Sequence, residues 1–249
     1  MKTKARHQLK ENELAGMIGA ARENFEKHKR TASGVVLVLL VGGVVVAGIW
    51  AWRGQSDARA EQLLGEAMVT FNARVIPVTA APEAPGEVPA AASIGATGTF
   101  SSVAAKLNAA LPKLKAAADA YPETDAGITA RYHYASSLGA LGRHDEAVKA
   151  FDEVIARAGG ESLYGRMARL GRADALVRAG QHETAIATWK ELASSTDEAL
   201  PKDAILMELG KAYQAAGNTD EARKTFNQLI EEHPTSPYTA EARAELGSS

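Results

Sequence analysis

The sequence predicts an all-α protein: a single N-terminal transmembrane helix followed by a solenoid of helix-turn-helix pairs. Three observations predict it. Gly34 to Trp52 is an unbroken run of 19 residues drawn only from Gly, Ala, Val, Leu, Ile and Trp. A turn-like hexad recurs three times, at spacings of 38 and 37 residues. Aromatic residues make up only 6% of a chain rich in alanine, which favours helix over sheet. The length of 249 residues suits one core with appendages. A formal charge of −2 argues against a nucleic-acid binder that works by neutralising phosphates. The absence of cysteine excludes disulfides, thiolate metal sites and cysteine nucleophiles.

The charge is unevenly spread. Residues 1–33 carry eight Lys/Arg and four Glu, a net +4, which leaves −6 for the remainder. This stub reads as one amphipathic helix, with Leu9, Leu14, Met17, Ile18 and Phe25 spaced by three, four or seven among charges. It serves either as a solvated lead-in whose positive charge enforces topology, or as a docking helix for a membrane partner or anionic headgroups.

The run at 34–52 would give about 28 Å of helix, close to the ~30 Å of bilayer hydrocarbon. A buried helix of a globular domain would show a polar stripe, and none interrupts the run. Trp50, Trp52 and Arg53 stand where an aromatic belt and a snorkelling cation belong. Arg22, Lys27, Lys29 and Arg30 on the near side outnumber Arg53 and Arg59 on the far side. That bias predicts a cytoplasmic N-terminus and places residues 53–249 in the periplasm of an inner-membrane protein. A cleaved signal peptide fits less well, because 33 residues precede the run and no small-x-small site follows it.

The repeated hexads are Gly142-Arg143-His144-Asp145-Glu146-Ala147, Gly180-Gln181-His182-Glu183-Thr184-Ala185 and Gly217-Asn218-Thr219-Asp220-Glu221-Ala222. Each glycine suits a left-handed helix end, and the acids that follow suit the positive end of the next helix. Four residues after each alanine comes a large ring, Phe151, Trp189 or Phe226, and three later Val154, Leu192 or Leu229. The second helix of each pair is thus apolar on one face, and small alanines admit the first helix closely.

This pattern resembles the tetratricopeptide repeat, whose signature runs W-x2-L-G-x2-Y, A-x3-F and P. Leu206, Leu209, Gly210, Tyr213, Ala222, Phe226, Leu229 and Pro234 match it in the third unit. Tyr134, Ala135, Leu138, Ala147 and Phe151 match in the first. The second keeps Ala173 and Leu176 but has Arg169 and Arg172 at usually apolar places, which predicts a tilted helix or an exposed cationic edge. The units occupy 128–159, 166–197 and 203–234.

A split unit over 58–122 precedes them, with Leu64, Gly65 and Met68 on its first helix and Ala110, Leu114, Ala117 and Pro122 on its second. Between them, residues 77–99 hold Pro77, Pro82, Pro85 and Pro89 and no Lys or Arg. Such a stretch cannot bury enough surface to offset its ordering entropy and is expected to be disordered, as a spacer or a recognition motif. Residues 236–247, opened by Pro237 and carrying Tyr238, Ala242 and Leu246, read as a solvating cap.

No catalytic constellation emerges, and no cofactor or metal is expected. His144 and His182 recur because the turn recurs, His133 reads as a packed residue beside Tyr132 and Tyr134, and no His-x-x-x-His pair occurs. Paired acids such as Asp145-Glu146 sit at helix starts, where the dipole accounts for them. The expectation is therefore a non-enzymatic binding protein with an open concave face. Counting along the repeats, that face falls to Tyr132, Ser136, Leu170, Asp174, Val177, Met207, Lys211 and Gln214. It holds no ladder of Lys, Arg and Asn for clamping a terminal carboxylate.

The layout as a whole is similar to that of the YfgM-like family, ancillary subunits of the Sec translocon in bacterial inner membranes. The stub Gln8-Leu9-Lys10-Glu11-Asn12-Glu13 and the membrane exit Trp50-Ala51-Trp52-Arg53 carry the resemblance locally. It implies a membrane-anchored partner of the secretion channel, of a periplasmic chaperone and of exported polypeptides. The alternative is an envelope scaffold for cell-wall or outer-membrane assembly, like the Tol-Pal-associated repeat proteins.

Overall fold

The computed structural model describes residues 29–76 and 98–248, with side chains over 39–76 and 98–247. Residues 1–28 of the stub expected over 1–33 and residues 77–97 of the insertion expected over 77–99 lie outside the described residues, while Thr99 at the insertion's end is in a strand. The chain divides into two compact units, Met1–Gln55 and Ser56–Ser249. In the first, helix α1 (Lys29–Phe71) runs through the apolar sequence without a break. Leu39, Leu40, Val41, Val44, Ile49, Trp50 and Trp52 all stand exposed on it, Trp50 at 77%. Among the described residues no helix is long and apolar enough to cross a membrane. Side chains are described only from Leu39, whereas the unbroken apolar run begins at Gly34.

In the second unit, α1 ends at Phe71 and eight further helices follow among the described residues. They are α2 (Val103–Ala120), α3 (Asp125–Ala140), α4 (His144–Ala158), α5 (Leu163–Arg178), α6 (His182–Ser194), α7 (Lys202–Ala215), α8 (Thr219–Glu232) and α9 (Thr239–Ser248). They form an all-helical repeat fold. The pairs α3/α4, α5/α6 and α7/α8 turn at Gly142, Gly180 and Gly217, whose φ angles are +78°, +74° and +78°. At each turn the amide two residues past the cap reaches back to close the helix. Arg143 N–H donates to Leu138 O at 2.9 Å, Gln181 N–H to Leu176 O at 2.9 Å and Asn218 N–H to Tyr213 O at 2.8 Å. This double closure needs a left-handed residue, which glycine supplies without a Cβ clash. At the helix starts, the Thr124 hydroxyl accepts from Gly127 N–H and the Ser162 hydroxyl from Gly165 N–H.

The core follows the alanine–ring pattern. Ala147, Ala185 and Ala222 are sealed, and Phe151, Trp189 and Phe226 fill the space beyond them, Phe226 completely. Leu138, Val154, Leu176, Leu192 and Ile205 continue one apolar body. Leu206, Met207, Phe226, Leu229 and Ala242 form a second one under α9. Each large side chain removed from water here contributes about 1.5–3 kcal/mol.

Several expectations shift. The small residues by which α1 packs in the split unit are Ala60 and Ala67, not Gly65, and a Cβ on Gly65 would meet nothing. Ala67 joins Ala110 and Leu114, and Lys113 Nζ donates to Thr70 Oγ1 at 2.8 Å. Arg169 and Arg172 do not form a bare cationic edge. Arg169 pairs with Glu191 at 3.1 Å, and Arg172 with Asp152 at 2.5 Å and with Thr188 at 3.1 Å. Arg131, at the position equivalent to Arg169, pairs with Glu153 at 3.2 Å and also with Asp119. The degenerate positions thus hold half-buried guanidiniums, and Arg131 a buried one, each braced to neighbouring helices. Two short strands, β1 (Arg74–Val75) and β2 (Thr99–Phe100), pair in parallel at the ends of the insertion, where the sequence shows no strand pattern. Two residues are too few to show one.

Candidate functional site

A groove opens between α3 and α5, with α4 behind it. It encloses about 690 Å³. Tyr132, Ser136, Gly139 and Ala140 come from one helical stripe of α3. Met167, Leu170, Gly171, Asp174, Ala175 and Arg178 come from one stripe of α5, and Phe151 and His144 from α4. Steps of three and four put each set on one helix face.

Its lining is apolar at one end and polar at the other. The Tyr132 ring lies 6.0 Å from that of Phe151 and 5.5 Å from that of Tyr164, and makes an edge contact with His133 at 5.6 Å. His133 in turn meets Phe71 of α1 at 4.9 Å. Burial holds the His133 imidazole below its usual pKa, since the cation loses hydration. At the polar end, Arg178 Nε donates to both carboxylate oxygens of Asp174, at 3.0 and 2.9 Å. Within the described residues no group of three or more His, Cys, Asp or Glu is placed to hold a metal ion.

The eight residues expected on the concave face divide in two. Tyr132, Ser136, Leu170 and Asp174 come together in this groove. Val177 packs against the apolar core. Met207 is wholly buried against Phe226 and its neighbours and presents nothing outward. Lys211 and Gln214 are engaged by the final helix. Lys211 pairs with Glu241 at 2.8 Å and Glu208 at 3.3 Å, and Gln214 donates to Glu245 at 3.0 Å. Burial opposes the Lys211 cation, but Glu241 and Glu208 outweigh it and raise the lysine above its ordinary range. The sequence reading missed Met167, Gly171 and Arg178, although all three fall on the Leu170–Asp174 stripe of α5.

A stack of paired helices with an open groove on its first-helix side is the arrangement of a helical-repeat binding module. Tetratricopeptide-repeat family models match the chain over residues 134–204 and 204–236. Residues 134–236 thus carry tetratricopeptide repeats, which imply a role in protein–protein interaction. Among solved structures the chain is similar to a putative kinesin light chain from Podosopora anserina with nearly identical TPR-like repeats. The two are 20% identical with a TM-score of 0.48, and the match covers 57% of this chain and 76% of that one. A single-substitution variant of the same protein matches at 19% identity, with the same TM-score and coverage. No curated protein matches the sequence.

Proposed function

We propose that this is a non-enzymatic, membrane-anchored adaptor. In this reading one transmembrane helix over residues 34–52 holds a periplasmic tetratricopeptide-repeat domain beside the Sec translocon, where it engages exported chains and a periplasmic chaperone. The observation that carries the binding role is the groove between α3 and α5, where Tyr132, Ser136, Leu170 and Asp174 line one open cavity. The anchor rests on the 19-residue apolar run and on the exposure of Leu39 to Trp52 along an unbroken helix, a wide apolar surface among the described residues. The inner-membrane orientation rests on the flanking Lys and Arg. The translocon assignment rests on the resemblance of layout to the YfgM-like family.

The test is affinity capture of the tagged protein, at native expression, from gently solubilised membranes, with a variant lacking residues 54–249 alongside. Co-purification of the secretion channel and a chaperone that depends on 54–249 is the expected result. Recovery of cell-wall or outer-membrane machinery instead overturns the translocon assignment in favour of the envelope scaffold. Extraction of the protein from membranes by carbonate would overturn the anchor.

A further inference from the structure

We propose that His133 is a proton-operated latch for the end of α1. Neutral, its ring holds Phe71 against α3; carrying a proton, it lets the last turn of α1, Met68–Phe71, come away. The latch is independent of what the groove binds.

It follows from how α1 is held. Ala60 and Ala67 are sealed, and Ala67 packs with Ala110 and Leu114 of α2. Small side chains bring the two helices close and fix that part of α1. The last turn is held differently. Thr70 accepts from Lys113 of α2 at 2.8 Å, while Met68 and Phe71 are only half-buried. α3 reaches this turn through Tyr134, at the edge of the same cluster, and through His133, whose ring lies 4.9 Å from that of Phe71.

The charges around the imidazole decide what a proton does there. α2 contributes two cations, Lys106, 5.8 Å over the Phe71 ring, and Lys113, bonded to Thr70. A further cation, Arg74, follows α1 in β1. The acid of α1 nearest to Phe71 in sequence, Glu66, accepts from Gln62 at 3.2 Å. On α3, Tyr132 makes its edge contact at 5.6 Å, and Arg131 is engaged by Asp119 and Glu153. Among the described residues no carboxylate comes within ion-pairing reach of His133, and its ring makes no hydrogen bond.

An imidazolium here would lose hydration with cations, not anions, for neighbours. Its attraction to the Phe71 ring does not compensate, because Lys106 already faces that ring and two cations on one ring repel. Burial lowers the proton affinity of docked His133 in the same sense. Released into water, the imidazole returns to its ordinary pKa of about 6.5. The released form therefore takes the proton first, so docking is complete above that value and weakens as the pH falls below it.

The test is hydrogen–deuterium exchange of the full chain in lipid nanodiscs at about pH 7.5 and about pH 5.5, read by mass spectrometry and divided by the intrinsic amide rate at each pH. Opening of residues 68–72 should rise by up to about tenfold, the limit for one proton over the unit below 6.5, while the amides of α7 stay unchanged. His133→Gln and His133→Phe should each remove the rise, and His133→Lys should show the acid level of opening already at about pH 7.5. Circular dichroism shows which variants fold, and one folded neutral variant suffices. A wild-type rise below about twofold overturns the latch, as does a rise that survives in a folded neutral variant. So does a folded His133→Lys protein that stays closed, or an equal rise in α7, which marks loosening of the whole repeat domain.

Discussion

Gly65 and Gly210 occupy the same place in the repeat pattern, yet replacing them with alanine should move stability in opposite directions. Around Gly65 a new Cβ meets nothing within 4 Å. Gly65→Ala therefore keeps only the conformational benefit of replacing a helical glycine, about 0.5–1 kcal/mol. At Gly210 the same atom would stand 2.3 Å from Phe226 Cε1 and 2.7 Å from two further ring carbons. Carbon atoms in contact prefer about 3.5–4.0 Å, so ring or helix must retreat by more than about 1 Å. Phe226 is fully buried, packed with Leu206, Leu229 and Ala242, and has no space to retreat into. Overpacking of this kind costs about 1–3 kcal/mol. After the helix gain is subtracted, Gly210→Ala should lose up to about 2 kcal/mol. At about 2–4 °C per kcal/mol for a unit of this size, Gly65→Ala should raise Tm by about 1–4 °C and Gly210→Ala should lower it by up to about 8 °C. Gly171→Ala, whose Cβ would stand 2.5 Å from the buried Phe151 ring, should lower Tm in the same way. The assay is thermal unfolding of the full chain in nanodiscs, followed by far-ultraviolet circular dichroism. Adding Phe226→Leu to Gly210→Ala should recover more than additivity allows. A Gly210→Ala protein as stable as wild type would refute the packing argument.

Other outcomes follow from the core and its charges. Trp189 is buried with an indole N–H that has no partner among the described residues, and its repeat equivalents are Phe151 and Phe226. Trp189→Phe should thus stay within about 1 kcal/mol of wild type in denaturant unfolding, whereas Trp189→Ala should cost about 3–5 kcal/mol. Arg131 is buried between Asp119 and Glu153, whose own side chains are about half exposed. Arg131→Met should therefore be tolerated to about 1 kcal/mol, while Asp119→Asn with Glu153→Gln leaves a buried cation unpaired and should cost about 3 kcal/mol; the reverse order would sink this reading. Burial depresses the His133 pKa in the folded chain, so the unfolded chain binds its proton first. Stability should then fall as pH drops below the ordinary histidine value of about 6.5, and His133→Phe should flatten that part of the pH profile. The Ser236 hydroxyl, by donating to Asp203, holds that carboxyl below its usual range, with Ala204 N–H adding to the effect. Its contribution should be present above about pH 3.9 and lost as pH falls through the lower folded value, and Ser236→Ala should diminish that acid-limb loss.

The turns and the rings were legible because the physics behind them is local. A left-handed helix end demands glycine wherever it occurs, and an alanine followed four residues later by a ring marks one helix face, so both recur with the repeat. The arginine braces were not legible. Arg131 and Glu153 are 22 residues apart, as are Arg169 and Glu191, and no local periodicity links residues on different helices. Arg169 looked like an erosion of the repeat when read alone. Beside Glu191 it is an alternative filling for the place that Leu206 takes in the third unit.

The eight residues counted onto the concave face lie in three different surroundings, and the differences show what keeps a first-helix stripe open. Tyr132, Ser136, Leu170 and Asp174 follow from counting along two helices. Met207 does not, since one position along a helix turns a side chain by about 100°, enough to move it from groove to core. Lys211 and Gln214 lie on one stripe of α7, and α9 engages that stripe through Glu241 and Glu245. A first-helix face is available only until the next element closes over it. The groove on α3 and α5 stays open because small residues, Gly139, Ala140, Gly171 and Ala175, line it. The helix that ends the stack thereby also decides which first-helix stripes stay open.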